Sequence, residues 1–196
     1  MAFVPPLPTT LPLEETLTEA GYFRIVRTAF SALEPGFRAT TTYRFDAPDQ
    51  SFETLYCARD FKTCFLETVV RDRPDLNIPK SEYDSRSVVL LLLDTSKLRL
   101  VSLHGNAAIR MRLDFSDLMW KKYEYTQALS KSIHDHTDAP DGIVYKARFD
   151  PEAKSVVLFN RAQPHVRLFP GSKPVEFKDA RELCDAVRAT VPFSIV

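Results

Sequence analysis

Residues 42–73 carry the pattern around which the predicted fold is organised, and they read TYRFDAPDQSFETLYCARDFKTCFLETVVRDR. This order predicts an arginine-bearing segment, a short strand at 54–58 and a helix capped by Asp60. The helix has core-type side chains at i, i+3, i+4, i+7 and i+8, which is typical of a face turned to the interior. Those positions are Phe61, Cys64, Phe65, Thr68 and Val69. At about 100° per residue, Glu67 lies roughly 60° outside this face, so its carboxylate can reach the space above the neighbouring strand.

The overall composition is that of one soluble globular domain. Of the 196 residues, 26 are Lys or Arg and 26 are Asp or Glu, so the formal net charge is zero. A neutral chain has no global attraction for nucleic acid or for an anionic membrane. The longest fully apolar run, 88–93, is far shorter than the ~20 residues that cross a bilayer. We therefore expect neither nucleic acid nor a membrane as a direct partner.

Three local features narrow the class of protein further. Residues 1–13 hold four prolines and precede the first basic residue, which favours an extended arm against the domain over a secretory signal. The three cysteines are an odd count without a disulfide framework, which favours a reducing cytoplasm. The five glycines are too dispersed for a P-loop or Rossmann pattern. Phosphates of a bound nucleotide would then be held by side chains, above all by arginines.

The rest of the chain predicts short strands dispersed among helices. The expected strands are 22–28, 40–43, 86–94, 98–103 and a hairpin of 143–148 with 156–159. The expected helices are 13–20, 106–113, 117–134 and 178–190, with 77–83 as a polar loop. We expect Trp120 and Tyr123 to anchor packing. This arrangement predicts an α+β fold rather than a doubly wound parallel sheet.

Two other site chemistries have weaker support. The His and Asp residues within 134–138 could donate metal ligands, but no second cluster with zinc-like spacing accompanies them. A solvated helix C-terminus explains them as well, so no metal is expected. A cysteine–histidine nucleophile pair stays open, although Cys57 and Cys64 are typical of packing residues.

The most coherent chemistry comes from Arg44, Tyr56 and Glu67, with Arg24 on the inward side of the first strand. Arginines bind a pyrophosphate through paired hydrogen bonds, and an aromatic ring packs on nicotinamide. Breaking the glycosidic bond to nicotinamide passes through an oxocarbenium-like state, which a carboxylate stabilises. The set is therefore a candidate site for this cleavage. The alternatives are a Glu67 paired structurally with an arginine, and a solvent-exposed Arg24 on an edge strand.

Several short motifs, in this order, resemble the RES domain family, which is named for Arg, Glu and Ser positions in its pattern. They are YRF at 43–45, LYCA at 55–58, TCFLE at 63–67, YTQAL at 125–129 and DGIVY at 141–145. The likeness extends from about residue 22 to residue 159 and so covers most of the chain. It divides the chain into an arm and short helix at 1–20, a catalytic domain at 21–162 and a C-terminal extension with a closing helix at 163–196.

The resemblance implies a fold similar to ADP-ribosyltransferase toxins, with short mixed or antiparallel strands and flanking helices around an NAD cleft. RES proteins are commonly toxins neutralised by a cognate antitoxin, and they hydrolyse or phosphorolyse NAD+ or ADP-ribosylate a protein target. Carried over, Arg44 and Glu67 match the family Arg and Glu as catalytic residues. Arg24, Arg44 and Tyr56 would bind NAD, which is a substrate here.

This chain departs from the family pattern at two places. The family Arg usually follows glycines and precedes Trp, whereas 43–45 read YRF. The family Ser is expected just after 142–145, where Lys146, Ala147 and Arg148 stand, or in some members before 125–127, where Glu124 stands. The Ser role is therefore unassigned, and a catalytically impaired NAD-binding or docking module is the alternative to an enzyme.

Overall fold

The computed structural model describes residues 4–14, 17, 20–33, 35–120, 122–150 and 152–196. The strands are β1 (Ala20–Arg27), β2 (Thr54–Ala58), β3 (Asn77–Ile78), β4 (Arg86–Leu93), β5 (Leu100–Ser102), β6 (Gly142–Lys146), β7 (Lys154–Phe159), β8 (Val166–Leu168), β9 (Val175–Glu176) and β10 (Ser194–Ile195). The α-helices are α1 (Phe61–Phe65), α2 (Lys80–Asp84), α3 (Gly105–Arg110), α4 (Phe115–Met119), α5 (Glu124–His134) and α6 (Arg181–Arg188). A π-helix (Leu66–Val70) continues α1, and 3-10 helices span Thr28–Leu33 and Asn160–His165.

Eight strands form one sheet in the order β5-β6-β7-β2-β1-β4-β8, with β9 as a further partner of β4. In this sheet β5 and β6 run parallel, and the other described pairs are antiparallel. β3 and β10 form a separate parallel pair. The predicted α+β class, the strand at 54–58 and the β6–β7 hairpin are confirmed. The segment after residue 162 also belongs to this sheet, because β8 and β9 both pair with β4.

The sheet is split between β1 and β2. The pairing of these two strands is reduced, in the described residues, to Phe23 opposite Ala58. By contrast, β1 pairs with β4 at all eight of its residues, and β2 pairs with β7 at all five of its residues. The sheet therefore opens into a cleft between residues 24–27 of β1 and residues 54–57 of β2, where backbone groups must find partners outside a strand ladder.

The helices contribute to two separate buried clusters. On the β6–β7 half, α3 and α5 contribute Ala108, Leu129 and Ile133 to a buried cluster with Phe159. At the other end, α1 and α6 meet around Phe177 in a second cluster. The helices thus bury apolar surface on either side of the cleft and leave the cleft itself unfilled.

Two predicted elements are wrong because side chains and distant segments determine the backbone there. Residues 40–43 form bends rather than a strand, since the Thr40 hydroxyl accepts the N–H of Thr42 at 3.2 Å. The predicted loop at 77–83 contains β3 and α2 instead, because β3 pairs with β10, more than one hundred residues away in the chain. The local sequence does not indicate a pairing partner so far away in the chain.

Helices form near 106–113, 117–134 and 178–190 as predicted, but with different bounds. The helix predicted at 117–134 is two helices, α4 and α5, since the chain becomes extended at Trp120. Trp120 is 63% exposed, so its predicted packing role is wrong. The helix predicted at 13–20 is not seen in the described residues. Leu13 forms an isolated β-bridge with Val101, and Ala20 is the first residue of β1. Residues 15, 16, 18 and 19 lie outside the described residues.

No helix in the described part of the chain is long and apolar enough to cross a membrane.

The N-terminal arm is fastened to the sheet edge formed by β5. The Pro12 carbonyl accepts the N–H of Ser102 at 2.9 Å, and the N–H of Leu11 is donated to Asp138 at 2.8 Å. The Glu14 side chain is buried and lies 2.5 Å from Nε2 of His104. Hydrogen bonds on both sides of the arm thus cover an otherwise open strand edge.

Replacing Gly142 by Ala should destabilise the protein, because a Cβ at Gly142 would overlap the carbonyl oxygen of Val157 in the neighbouring strand. We expect a loss of about 1–3 kcal/mol in the free energy of unfolding, measured by denaturant titration. The matched control is Gly21→Ala, whose Cβ would meet the side chain of Leu90 at 3.0 Å and whose neighbour can move. Equal stabilities of Gly142→Ala and wild type would contradict the close strand approach.

Candidate active site

A cleft of about 320 Å³ opens where β1 and β2 separate. All four predicted site residues line it: Arg24, Arg44, Tyr56 and Glu67. Further arginines in the lining are Arg27, Arg38, Arg71, Arg86 and Arg148, and Glu67 is the one carboxylate among its described residues. In a chain of zero net charge, this concentration makes the cleft strongly positive and suited to an anion.

Asp46, which is not among the predicted site residues, holds the turn that delivers Arg44 to the cleft. Its fully buried carboxylate accepts the N–H of Tyr43 at 2.7 Å, the hydroxyl of Thr54 at 2.8 Å and the hydroxyl of Tyr56 at 2.9 Å. Burial raises the pKa of Asp46, and these hydrogen bonds offset part of that rise. The three bonds clamp the turn onto β2.

The Arg44 guanidinium is a buried cation, 8% exposed, that lies against aromatic rings. Its Cζ is 5.1 Å from the ring centroid of Tyr145 and 5.2 Å from that of Phe45, and Nη2 is 3.4 Å from Sδ of Met119. Burial lowers the pKa of Arg44, and the nearby Tyr145 and Glu67 counteract this effect. Nε and Nη1 have no hydrogen-bond partner within the described chain. Buried donors without partners are costly, so this group is poised to take up an anion.

Arg24 and Tyr56 meet across the split in the sheet. Arg24 donates to the carbonyl oxygens of Tyr56 at 3.2 Å and Gly36 at 3.1 Å. The bond to Tyr56 replaces one of the backbone hydrogen bonds that β1 and β2 do not form with each other. At 7% exposure it is not a solvent-exposed edge residue, and that alternative is wrong. The Tyr56 hydroxyl donates to Asp46 and accepts the N–H of Phe45 at 2.9 Å. Tyr56 therefore offers the cleft its ring rather than its hydroxyl.

Glu67 lies in the π-helix that continues α1, a wider turn often found at functional sites. Its Oε1 accepts the N–H of Arg148 at 2.6 Å and that of Phe149 at 3.2 Å. No described residue donates to its Oε2. Burial lowers the pKa of Arg44, and the charge of Glu67 offsets only part of this effect. The two groups form no ion pair, so the predicted alternative of a structural ion pair is not found for these two residues. One carboxylate oxygen is thus held by backbone N–H groups, while Glu67 itself lines the cleft.

Tyr145 and Ser155 lie opposite each other in the β6–β7 register, and both line the cleft. Burial raises the pKa of Tyr145, and its hydrogen bond with Ser155 offsets part of that rise. Ala147, where the family Ser is expected, is fully buried and does not belong to the described lining. Ser155 is the one serine in that lining, and no motif in the sequence marks it.

The cysteine–histidine alternative has no support in the geometry. Cys57 and Cys64 line the cleft, but burial raises the pKa of Cys57 to about 12 and that of Cys64 well above its ordinary value. Histidine is absent from the described lining. These thiols therefore stay protonated and without a base at neutral pH.

The His and Asp residues of 134–138 have structural tasks. The His134 ring stacks on Phe52 with centroids 4.1 Å apart. Nε2 of His136 lies 3.1 Å from the carbonyl oxygen of Pro8, and Asp138 holds Leu11. No group of three His, Cys, Asp or Glu side chains within the described residues is placed to hold a metal ion. His136 and Asp138 therefore fasten the arm, whereas His134 packs on Phe52.

The fold and the cleft together define an α+β protein whose cleft is lined by arginines, aromatic rings and, among its described residues, one carboxylate. Arginines supply donors for an anion, aromatic side chains supply a stacking surface, and a carboxylate can stabilise a developing positive charge.

The RES domain profile matches residues 18–179, and the chain therefore belongs to the RES domain family. The resemblance inferred from the short motifs is confirmed.

Two known proteins are similar to this chain. The probable toxin y4kH of Sinorhizobium fredii (strain NBRC 101917 / NGR234) is 29% identical over 82 residues, which are 42% of this chain and 64% of that protein. The chain thus spans somewhat less than two thirds of this relative. A chain in the crystal structure of the M. tuberculosis MbcT–MbcA toxin–antitoxin complex matches with a TM-score of 0.63 and 16% identity, over 85% of this chain and 89% of that one. This second likeness shows a common fold.

Replacing Asp46 by Asn should loosen the turn that carries Arg44. The amide keeps the size of the side chain but turns an NH2 group toward donors, so we expect a loss of about 1–3 kcal/mol in unfolding free energy by denaturant titration. Asp49→Asn, in the neighbouring exposed turn, is the matched control and should change stability much less. Equal effects of the two substitutions would contradict the role assigned to Asp46.

Proposed function

We propose that this protein is an NAD+-degrading toxin that cleaves the nicotinamide–ribose bond and is neutralised by an antitoxin. Membership of the RES domain family supports the proposal, as do the similar probable toxin and the fold shared with a chain of a toxin–antitoxin complex. The observation that carries it is the presence, in one cleft, of the buried Arg44 cation and of a Glu67 carboxylate with only one oxygen held by the protein.

Each group has a distinct task in the proposed reaction. Nε and Nη1 of Arg44 donate to the pyrophosphate, which gives these buried donors the partners they lack in the protein. The rings of Tyr56 and Tyr145 flank the nicotinamide. Oε2 of Glu67 faces the ribose, where it orients a hydroxyl or stabilises the oxocarbenium-like charge as the bond to nicotinamide breaks. The electron pair of that bond leaves with nicotinamide.

The acceptor of the ADP-ribosyl group is water in a glycohydrolase and inorganic phosphate in a phosphorylase. Transfer to a protein target is the alternative enzyme activity, and it would attach labelled ADP-ribose from NAD+ to that protein.

The fully buried Ala147 at the expected Ser position favours a second candidate, a catalytically impaired NAD-binding or docking module. The three free cysteines support a reducing cytoplasm as the place of action.

Replacing Glu67 by Gln should abolish turnover and preserve the fold, since Oε1 of Gln can still accept the two N–H groups that hold it. We expect NAD+ loss by the purified protein to fall by on the order of 10²–10³-fold, with unchanged circular dichroism. The assay is run with and without phosphate, which distinguishes phosphorolysis from hydrolysis.

The matched control is Glu182→Gln, an exposed carboxylate on α6 outside the cleft lining, which should keep wild-type turnover. Retained turnover in Glu67→Gln would overturn the role of Glu67. Absence of NAD+ loss in the wild type, together with NAD+ binding, would favour the impaired module or transfer to a missing target.

A further inference from the structure

Met119 is the one sulfur-bearing side chain, among those that the structure describes, that is not buried. It lies half-buried at the C-terminal end of α4. Met111 is fully buried, and the free thiols of Cys57, Cys64 and Cys184 are buried as well. An oxidant that approaches from solvent therefore meets the Met119 thioether first.

The two thiols that line the cleft are poorly suited to react with a hydroperoxide. Peroxides attack the thiolate form of cysteine, and burial raises the pKa of Cys57 to about 12 and that of Cys64 well above its ordinary value. A thioether needs no deprotonation before it reacts. The accessible sulfur of Met119 is therefore the expected target of such an oxidant.

The sulfur atom of Met119 lies against the guanidinium of Arg44. Nη2 of Arg44 is 3.4 Å from Sδ, whereas Nε and Nη1 have no hydrogen-bond partner within the described residues. Arg44 is 8% exposed, so solvent does not supply these partners. A thioether is a weak acceptor. In the reduced protein the donors of this buried cation are thus available to an anion.

The helix that carries Met119 is anchored by few buried side chains. Leu118 is the buried residue of α4, whereas Phe115 and Trp120 are exposed. The backbone turns from helical to extended at Trp120, directly after Met119. A side chain enlarged by one oxygen atom can therefore be accommodated here without repacking the core.

Oxidation would turn the weak acceptor beside Arg44 into a strong one. A lone pair of the sulfur atom attacks the terminal oxygen of the hydroperoxide and forms the new S–O bond as the O–O bond breaks. The sulfur is oxidised to the sulfoxide, and the hydroperoxide is reduced to water or to an alcohol. Because Nη2 already contacts Sδ, the new oxygen lies within reach of the guanidinium.

We propose that Met119 is a modification site at which a hydroperoxide forms methionine sulfoxide, and that the sulfoxide oxygen occupies donors of Arg44 and lowers the affinity of the cleft for anionic ligands. This inference rests on the proposed function for its biological meaning, which is a loss of NAD+ cleavage under peroxide stress. A methionine sulfoxide reductase reverses the change.

The test is calorimetric titration of ADP-ribose into the purified protein before and after mild treatment with hydrogen peroxide. Mass spectrometry of proteolytic peptides locates the added oxygen. We expect the oxygen on Met119 and a loss of ADP-ribose affinity on the order of tenfold. Methionine sulfoxide reductases for both epimers should restore the affinity, whereas dithiothreitol, which reverses thiol oxidation, should not.

Three substitutions separate Met119 from the other sulfur atoms. Met119→Leu keeps the size of the side chain without the sulfur, so peroxide should not change its affinity for ADP-ribose. Met119→Gln places an amide oxygen beside Arg44 and should weaken ADP-ribose binding without any peroxide. Met111→Leu is the matched control and should respond to peroxide as the wild type does.

A ligand-free measurement tests the contact itself. Met119→Gln should raise the midpoint of denaturant unfolding more in the presence of Arg44 than in an Arg44→Met background, because only Arg44 can donate to the new oxygen. Equal effects in the two backgrounds would contradict the contact. This measurement does not depend on any ligand or on turnover.

Three results would overturn the modification site: peroxide leaves Met119 unmodified, the protein oxidised at Met119 binds ADP-ribose as the untreated protein does, or Met119→Leu loses as much affinity on treatment as the wild type. Absence of NAD+ cleavage by the untreated protein, with the binding results intact, would refute the proposed function but not the modification site.

Discussion

The Asp46 carboxylate is the constraint on which the cleft depends. Buried in the chain, it ties the Tyr43 N–H to two hydroxyls on β2, and the turn that it fixes carries Arg44. Arg44 in turn is a cation kept from solvent with two donors unused. A buried charge of this kind destabilises the empty protein and gains hydrogen bonds when an anion arrives. Under the proposed function, the stability given up at Arg44 would be recovered as affinity for the pyrophosphate of NAD+.

Much of the fold could be predicted because local chemistry determines it. The Asp60 cap forms as expected, with its carboxylate accepting the N–H of Thr63 at 2.7 Å. The strand at 54–58, the apolar strand β4 and the β6–β7 hairpin follow from β-propensity and turn residues close in sequence. Arg24, Arg44, Tyr56 and Glu67 were predicted as one site, and the structure places all four along one cleft.

The remaining features depend on partners far away in the chain. β3 exists because β10 pairs with it, and Ser155 faces the cleft because of its register with Tyr145. The role of Asp46 depends on its contacts with Thr54 and Tyr56, which lie eight and ten residues further along the chain. No local sequence pattern indicates these contacts.

Binding of ADP-ribose to wild type, Arg44→Met and the exposed control Arg110→Met tests the central claim most directly, because ADP-ribose carries the pyrophosphate and cannot be turned over at a nicotinamide bond. Met fills much of the same buried space without charge. The account predicts that Arg44→Met weakens ADP-ribose binding by on the order of tenfold or more, while Arg110→Met binds as the wild type does. Equal affinity of Arg44→Met and wild type would contradict the claim that the buried guanidinium is the anion-binding group of this cleft.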